Sequence, residues 1–381
     1  MVKIKLQHTL ISAVIGGIAG MSDGFMYAYL PVEAANIGLS AWMVGVLLSA
    51  NRFIRFFSNR WIAFYANKFG VKQVYIAGIV FTFISGILYA LHSFFIVWLL
   101  ARIIWGICFS AIRFCNLQYN TKADNVATAM GWSKSLHEII SIIGYLSGPI
   151  LVLNFGGQTC FVIYALLIVL LIPAFYKMPP LQIVEQKIKA FKIQLPNASD
   201  IWGFLVSFGI DGLLIISLSK IIPAPAKGEN LLLFASYYIA VRKIITIVLS
   251  PLIGWIMDKI SLIHSVYLCC LCIILGFLHL AWWDINIGLT LTFIGSSINH
   301  TLIPLITVKN STEKQQFNNL TKMSTSRDLG SAFGALFGLA IVQFIAPNYL
   351  FVALAIAINI PIIWIIQSAN LKNTAILQHK N

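Results

Sequence analysis

The segment SANRFIRFFSNRW, residues 49–61, lies inside a long apolar run and sets Arg52 and Arg55 where a membrane-spanning helix should be most hydrophobic. An arginine at the centre of such a helix costs roughly 2.5–3.5 kcal/mol on insertion scales, so two of them require an explanation. Their spacing supplies it. Asn51, Arg52, Arg55, Ser58 and Asn59 recur at i, i+1, i+4, i+7 and i+8, which is one face of an α-helix. Phe53, Ile54, Phe56 and Phe57 cover the rest of the circumference. Such a helix turns its polar stripe to a water-filled lumen and its phenylalanines to lipid or neighbours.

The rest of the chain agrees. Of 381 residues, 59% are hydrophobic and 10% charged, and mean hydropathy is +0.87. Soluble domains carry about 25% charged residues, so this composition cannot cover a globular surface. Apolar runs of near the ~20 residues that cross a bilayer recur throughout. The spacing predicts spans at about 9–30, 39–63, 73–92, 94–116, 130–153, 158–176, 200–221, 231–256, 262–282, 285–307, 321–345 and 348–368. The first, behind the basic start Met-Val-Lys-Ile-Lys, reads as uncleaved, because Gly20-Met21-Ser22-Asp23 is a poor cleavage site. The expected fold is an all-α membrane protein of twelve transmembrane helices in two pseudo-symmetric six-helix bundles, residues 1–176 and 200–368. Residues 177–199 form a cytoplasmic linker and 369–381 a tail. In the linker Leu181, Val184, Ile188, Phe191 and Leu195 recur at helical spacing, which suits a short amphipathic helix on the membrane surface.

The net charge of +14 does not point to nucleic acid. Lys and Arg concentrate at the termini and in alternate loops, and only the loop with Lys220 and Lys227 departs from the pattern. This positive-inside bias places both termini in the cytoplasm with an even number of spans, and the expected location is a bacterial inner membrane. The six cysteines all fall within predicted spans and read as small core hydrophobes, with no histidine or carboxylate at metal-ligand spacing. No metal or cofactor is expected.

The two halves echo each other. Ser22-Asp23-Gly24 in the first span matches Ile210-Asp211-Gly212 in the seventh. Glu138, Gly144 and Gly148 in the fifth match Asp328, Gly334 and Gly338 in the eleventh, all at an offset of 190 residues. Duplication at half-length marks repeat-built transporters, whose substrate site lies near the bilayer midplane between the repeats.

Two loops carry a more specific likeness. The second span ends Ala63-Phe-Tyr-Ala-Asn67-Lys68-Phe-Gly70-Val-Lys72, and the eighth ends Gly254-Trp-Ile-Met-Asp258-Lys259. Both resemble the loop signature of the major facilitator superfamily, Gly-x-x-x-Asp-Arg/Lys-x-Gly-x-Arg/Lys. Arg102-Ile-Ile-Trp-Gly106 is similar to the superfamily's Arg-x-x-x-Gly motif, and Gly144-Tyr-Leu-Ser-Gly148-Pro149 to its antiporter-associated Gly-x-x-x-Gly-Pro motif. The resemblance implies alternating access, with Asn67, Lys68, Gly70, Gly254, Asp258 and Lys259 forming a conformational latch. Here Ala63 replaces the glycine and Asn67 the aspartate. An amide keeps only a neutral hydrogen bond where a carboxylate makes a charge-assisted one, which shifts weight to Asp258. The plain reading of Gly144 and Gly148 is close helix packing with a proline kink beside it.

Among the charged residues of the spans, seven cations, Arg52, Arg55, Arg102, Arg113, Arg242, Lys243 and Arg327, are set against four acids, Asp23, Glu138, Asp211 and Asp328. In the simplest reading these ions pair and join helices, although buried pairs are weak stabilisers. The surplus of positive charge favours a visiting anion, which arginine grips in bidentate fashion. The substrate-binding candidates are Asn51, Arg52, Arg55, Asn59, Arg102, Tyr27 and Arg242. The proton-coupling candidates are Asp23, Glu138 and Asp211, because burial and a neighbouring cation act in opposite directions on a carboxylate. His137, next to Glu138, is a possible relay member.

The function these features favour is a secondary active transporter, a symporter or antiporter of a small organic anion, working as a monomer in the lipid bilayer and coupled to protons. The charge pattern of the second span resembles superfamily members that handle carboxylate siderophores. The alternative is a proton-antiport multidrug efflux pump, which the positive surplus disfavours for cationic cargo. A membrane-embedded enzyme is disfavoured too, and no Gly-x-x-x-x-Gly-Lys-Ser/Thr loop exists to drive ATP-powered transport.

Overall fold

In a bilayer core no water satisfies the backbone, so an apolar chain of this kind has to form helices or a closed barrel. The computed structural model, which describes residues 4–91, 95–123, 126–181, 196–222, 230–259, 262–310 and 313–378, is helical nearly throughout. The helices are α1 (Leu6–Ala19), α2 (Met21–Glu33), α3 (Ala41–Phe69), α4 (Val71–Ala90), α5 (Phe95–Thr121), α6 (Val126–Val169) and α7 (Ile172–Tyr176). They continue as α8 (Ala198–Val206), a π-helical stretch (Ser207–Leu214), α9 (Ile215–Ile221), α10 (Leu231–Lys259), α11 (Leu262–Trp282), α12 (Ile285–Lys309), α13 (Glu313–Phe344) and α14 (Pro347–Gln378).

Among the described residues, eight helical segments are long and apolar enough to cross a membrane. One of them, Trp132–Tyr176, makes two of the expected traverses. It turns at Gly156, whose φ of 81° is open to glycine but strained for other residues, so the helix reverses with no loop. α3 and α13 fall short of that apolarity because of their polar and charged residues, and α14 contributes a shorter apolar run, Pro347–Ile362. With these three, the twelve traverses read from the sequence are accounted for.

The chain divides into two compact units, Met1–Phe191 with Leu218–Ile247, and Lys192–Ser217 with Val248–Asn381. In the first, α1 and α2 meet at a kink at Gly20 and lie along α6. Glycines bring them together: a Cβ at Gly17 would press on Ile140, one at Gly144 would stand 3.2 Å from Met21, and one at Gly148 would collide with the Phe25 ring. The second unit repeats the device. A Cβ at Gly338 would stand 3.1 Å from the Leu213 backbone, and one at Gly212 would stand 2.7 Å from Gly334. Close approach of helices through small residues is the usual packing mode in membranes. Large apolar side chains such as Val80, Phe81, Ile96 and Leu100 are exposed on outer helix faces.

α3 starts at an N-cap, Ser40, whose hydroxyl accepts from the Met43 N–H at 3.3 Å, and it stops at Gly70 with φ 93°. The start of the linker is tied to this turn. Val71 N–H donates to Leu181 O at 2.9 Å, and Lys72 Nζ donates to Met178 O at 2.8 Å. The expected amphipathic linker helix lies outside the described residues.

Candidate functional site

The polar stripe of α3 faces inward. Asn51, Arg55 and Ser58 are buried, Arg52 and Asn59 half-buried, while Phe57 on the other side is 57% exposed. Close packing with α5 makes this possible, since a Cβ at Gly106 would collide with Ile54 and the Asn51 backbone. Ser58 and Ser110 then share a hydrogen bond across the helix pair at 2.8 Å.

At one end of the stripe, Arg102 is wholly buried and donates from Nη1 to the Asp23 carboxylate. Its Nε donates to Leu47 O at 2.7 Å. Its Nη2 reaches the Tyr27 hydroxyl at 3.4 Å. Asn51 Nδ2 donates to the same Asp23 oxygen at 3.2 Å. The structure therefore assembles four of the sequence candidates, Asp23, Tyr27, Asn51 and Arg102, into one network.

Around it, guanidinium groups lie over aromatic faces. Arg52 Cζ is 4.9 Å from the centre of the Tyr27 ring. Arg55 is 4.9 Å and Arg113 5.8 Å from the centre of Phe109. These lie inside the ~6 Å range of cation–π attraction. Stacking engages the flat face of a guanidinium, while its N–H fork, the part that matches a carboxylate, points outward in the guanidinium's own plane.

Glu138 meets a different partner. Lys243 Nζ donates to its Oε2 at 2.6 Å, within the first unit. Arg242, the preceding residue, is half-buried on α10. His137 lies beside α1, its Nδ1 3.6 Å from where a Cβ on Gly16 would stand.

In the second unit Asp211 sits on the π-helical stretch. Its Oδ2 accepts from Ser207 at 3.0 Å. Its Oδ1 accepts from Ser296 at 3.2 Å. His300 Nε2 is 3.5 Å from Oδ2. Arg327 contacts the same imidazole from α13. Sequence reasoning named neither Ser296 nor His300. The signal was present in Ser296-Ser297-Ile-Asn299-His300, a polar run in the middle of the tenth span. π-helical turns often mark functional sites.

No curated protein sequence matches the chain. Among solved structures it is similar to a point variant of the nucleoside transporter NupG, at 13% identity and a TM-score of 0.74, covering 94% of this chain and 98% of that one. NupG itself gives 13% and 0.71 over 94% and 97%. A bacterial homologue of the human lysosomal transporter Spinster, inward-facing and occupied, gives 12% identity and 0.72 over 95% and 96%. At such identities the likeness is one of fold. The sequence model of the Major Facilitator Superfamily matches residues 12–335. The chain belongs to the major facilitator superfamily. It is thus an integral, multi-pass membrane protein with a transporter fold.

Within that superfamily fold, the residues expected to form the latch of the first loop are in view. Gly70 makes the turn between α3 and α4, Lys68 Nζ lies 5.2 Å from the Phe69 ring centre, and the Asn67 amide oxygen is buried without a hydrogen bond among the described residues. The side chains of Asp258 and Lys259, and the surroundings of Gly254, lie outside what the structure describes. Gly144 and Gly148, the antiporter-like pair, serve close packing of α6 on α2.

Proposed function

We propose that this superfamily member is a secondary active transporter of a small organic anion bearing carboxylates, a carboxylate siderophore included, working by alternating access and coupled to protons. The observation that carries this reading is the set of three guanidinium groups, Arg52, Arg55 and Arg113, mounted on the Tyr27 and Phe109 rings beside the polar stripe of α3. Aromatic faces hold the cations in place, and arginine forks recognise planar anions. Arg102, being wholly buried, acts by positioning Asp23 and Tyr27. Arg242 and Asn59 supply further polar contacts for cargo.

Of the three acids proposed for coupling, Asp211 has the partner set that best suits proton exchange. A guanidinium has only donors, so Arg327 is best satisfied by a neutral His300 ring with a lone pair toward it. A proton arriving on His300 weakens that contact and strengthens the one with Asp211. Asp23 and Glu138 instead face Arg102 and Lys243, and they serve as ion-pair partners that hold the lining of the cargo site in place.

The experiment is transport of labelled citrate as a probe anion into proteoliposomes, beside a neutral nucleoside, the cargo in the name of one structural neighbour, and a lipophilic cation. The anion should be moved and should raise the melting temperature. Arg52→Ala and Arg55→Ala should each lower transport at least tenfold with insertion intact. Transport of the cation or the nucleoside in preference to a panel of di- and tricarboxylates would overturn the reading, as would full activity of both variants.

A further inference from the structure

Away from the polar stripe, α3, α4 and α5 enclose a cavity of about 630 Å³ that opens sideways. Tyr65 and Phe69 of α3, Ala77 and Phe81 of α4 and Cys108 of α5 line it, and Gln73 adds an amide. Tyr65, Phe69 and Phe81 are each about half exposed, and Ile76, Val80 and Ile84 of α4 are exposed around them. The opening therefore lies on the hydrocarbon-facing surface. Its deep end is floored where Gly78 meets α5, with a Cβ there only 3.2 Å from Ala111.

One end of the groove has a different character. Tyr65 and Phe69 stack with ring centres 6.1 Å apart. The Lys68 ammonium lies 5.2 Å from the centre of Phe69. α3 ends there at Gly70, so this end belongs at the membrane–water boundary, where aromatic and basic residues collect. Lys72 is turned away to Met178 O. No carboxylate lines the groove among the described residues.

We propose that this groove binds one acyl chain of an anionic phospholipid, with the headgroup phosphate against Lys68 and the Gln73 amide. The apolar lining selects a chain, and the Lys68 ammonium at the mouth selects net negative charge over a zwitterion, whose own cation Lys68 repels. The site does not depend on the cargo and survives if the transport reading above fails.

The test uses the full-length protein, delipidated in detergent and offered phosphatidylglycerol, phosphatidylcholine of the same chains, or free oleate, with bound lipid counted by native mass spectrometry. Phosphatidylglycerol should be retained about fivefold over phosphatidylcholine, the discrimination one lysine gives near a lipid surface. Lys68→Gln should equalise the two. Ala77→Phe, a substitution at an exposed wall position, should abolish retention of both. Equal retention by the unaltered protein, displacement of phosphatidylglycerol by equimolar oleate, or undiminished retention by Ala77→Phe would each overturn the proposal. Should Ala77→Phe fail to fold, the headgroup preference and its loss in Lys68→Gln decide alone.

Discussion

Asp23 and Asp211 occupy matching places in the two halves of the sequence, and each reaches the fourth traverse of its own half. Asp23 finds Arg102 there, and Asp211 finds His300. The repeat has kept an acid-to-base link between first and fourth traverses and changed the kind of base. A guanidinium keeps its charge at any physiological pH, whereas an imidazole is the side chain whose charge changes between about pH 5 and 8. One link is a fixed strut; the other contains a side chain of a kind whose charge a proton can change. The backbone follows the same division, with a simple kink at Gly20 ahead of Asp23 and a π-helical stretch around Asp211.

The strongest test removes the two bases. Arg102→Ala leaves the Asp23 carboxylate, 16% exposed, without its main partner, and breaking a buried pair from one side costs about 3–5 kcal/mol. A large fall in melting temperature in detergent is expected. The double variant Asp23→Leu with Arg102→Leu should recover most of it, because removing both charges strands neither. His300→Ala should cost only about 1 kcal/mol, since His300 is 28% exposed and Asp211 keeps two hydroxyl donors. Equal losses at both sites would erase the distinction.

The glycine after each acid sharpens the comparison. At Gly24 a new Cβ would stand 3.4 Å from the Tyr145 ring, an ordinary contact, while at Gly212 it would stand 2.7 Å from Gly334 backbone, which cannot swing away. Gly212→Ala should therefore destabilise by about 1–3 kcal/mol. Gly24→Ala should be neutral, or stabilising by up to ~1 kcal/mol, because alanine is the better helix former. Melting curves of the two variants side by side check both numbers.

Much of this was legible in the sequence for a physical reason: periodicity reports which face of a helix is polar. The stripe on α3 and the glycine pairs Gly144/Gly148 and Gly334/Gly338 all announced themselves by spacing. Periodicity does not report which helix comes to meet that face. Spacing alone puts Arg102 among the cargo-ligand candidates; the close approach at Gly106 lets it reach past α3 to Asp23 and backbone carbonyls. His300 was missed because its polar neighbours Ser296, Ser297 and Asn299 are uncharged and stood out less than the arginines. The assignment of Leu218–Ile247 to the first unit has no local signal at all, since it is a property of contacts far apart in sequence.

The smallest expected change in stability carries the sharpest functional consequence. His300→Gln keeps a side chain able to donate to Asp211 and to accept from Arg327, so its melting temperature should lie close to that of the unaltered protein. What it removes is the second charge state. If protons reset this link, transport driven by a pH gradient should fall to the level of passive exchange, and the rise or fall of rate between pH 5 and 8 should flatten. Exchange of cargo at equal pH on both sides should persist, because no net proton movement is needed. The same measurements on Asp23→Asn complete the comparison. A variant of the fixed strut should lose cargo handling at every pH alike, leaving the shape of the profile unchanged. Profiles that flatten in Asp23→Asn and keep their shape in His300→Gln would exchange the two roles.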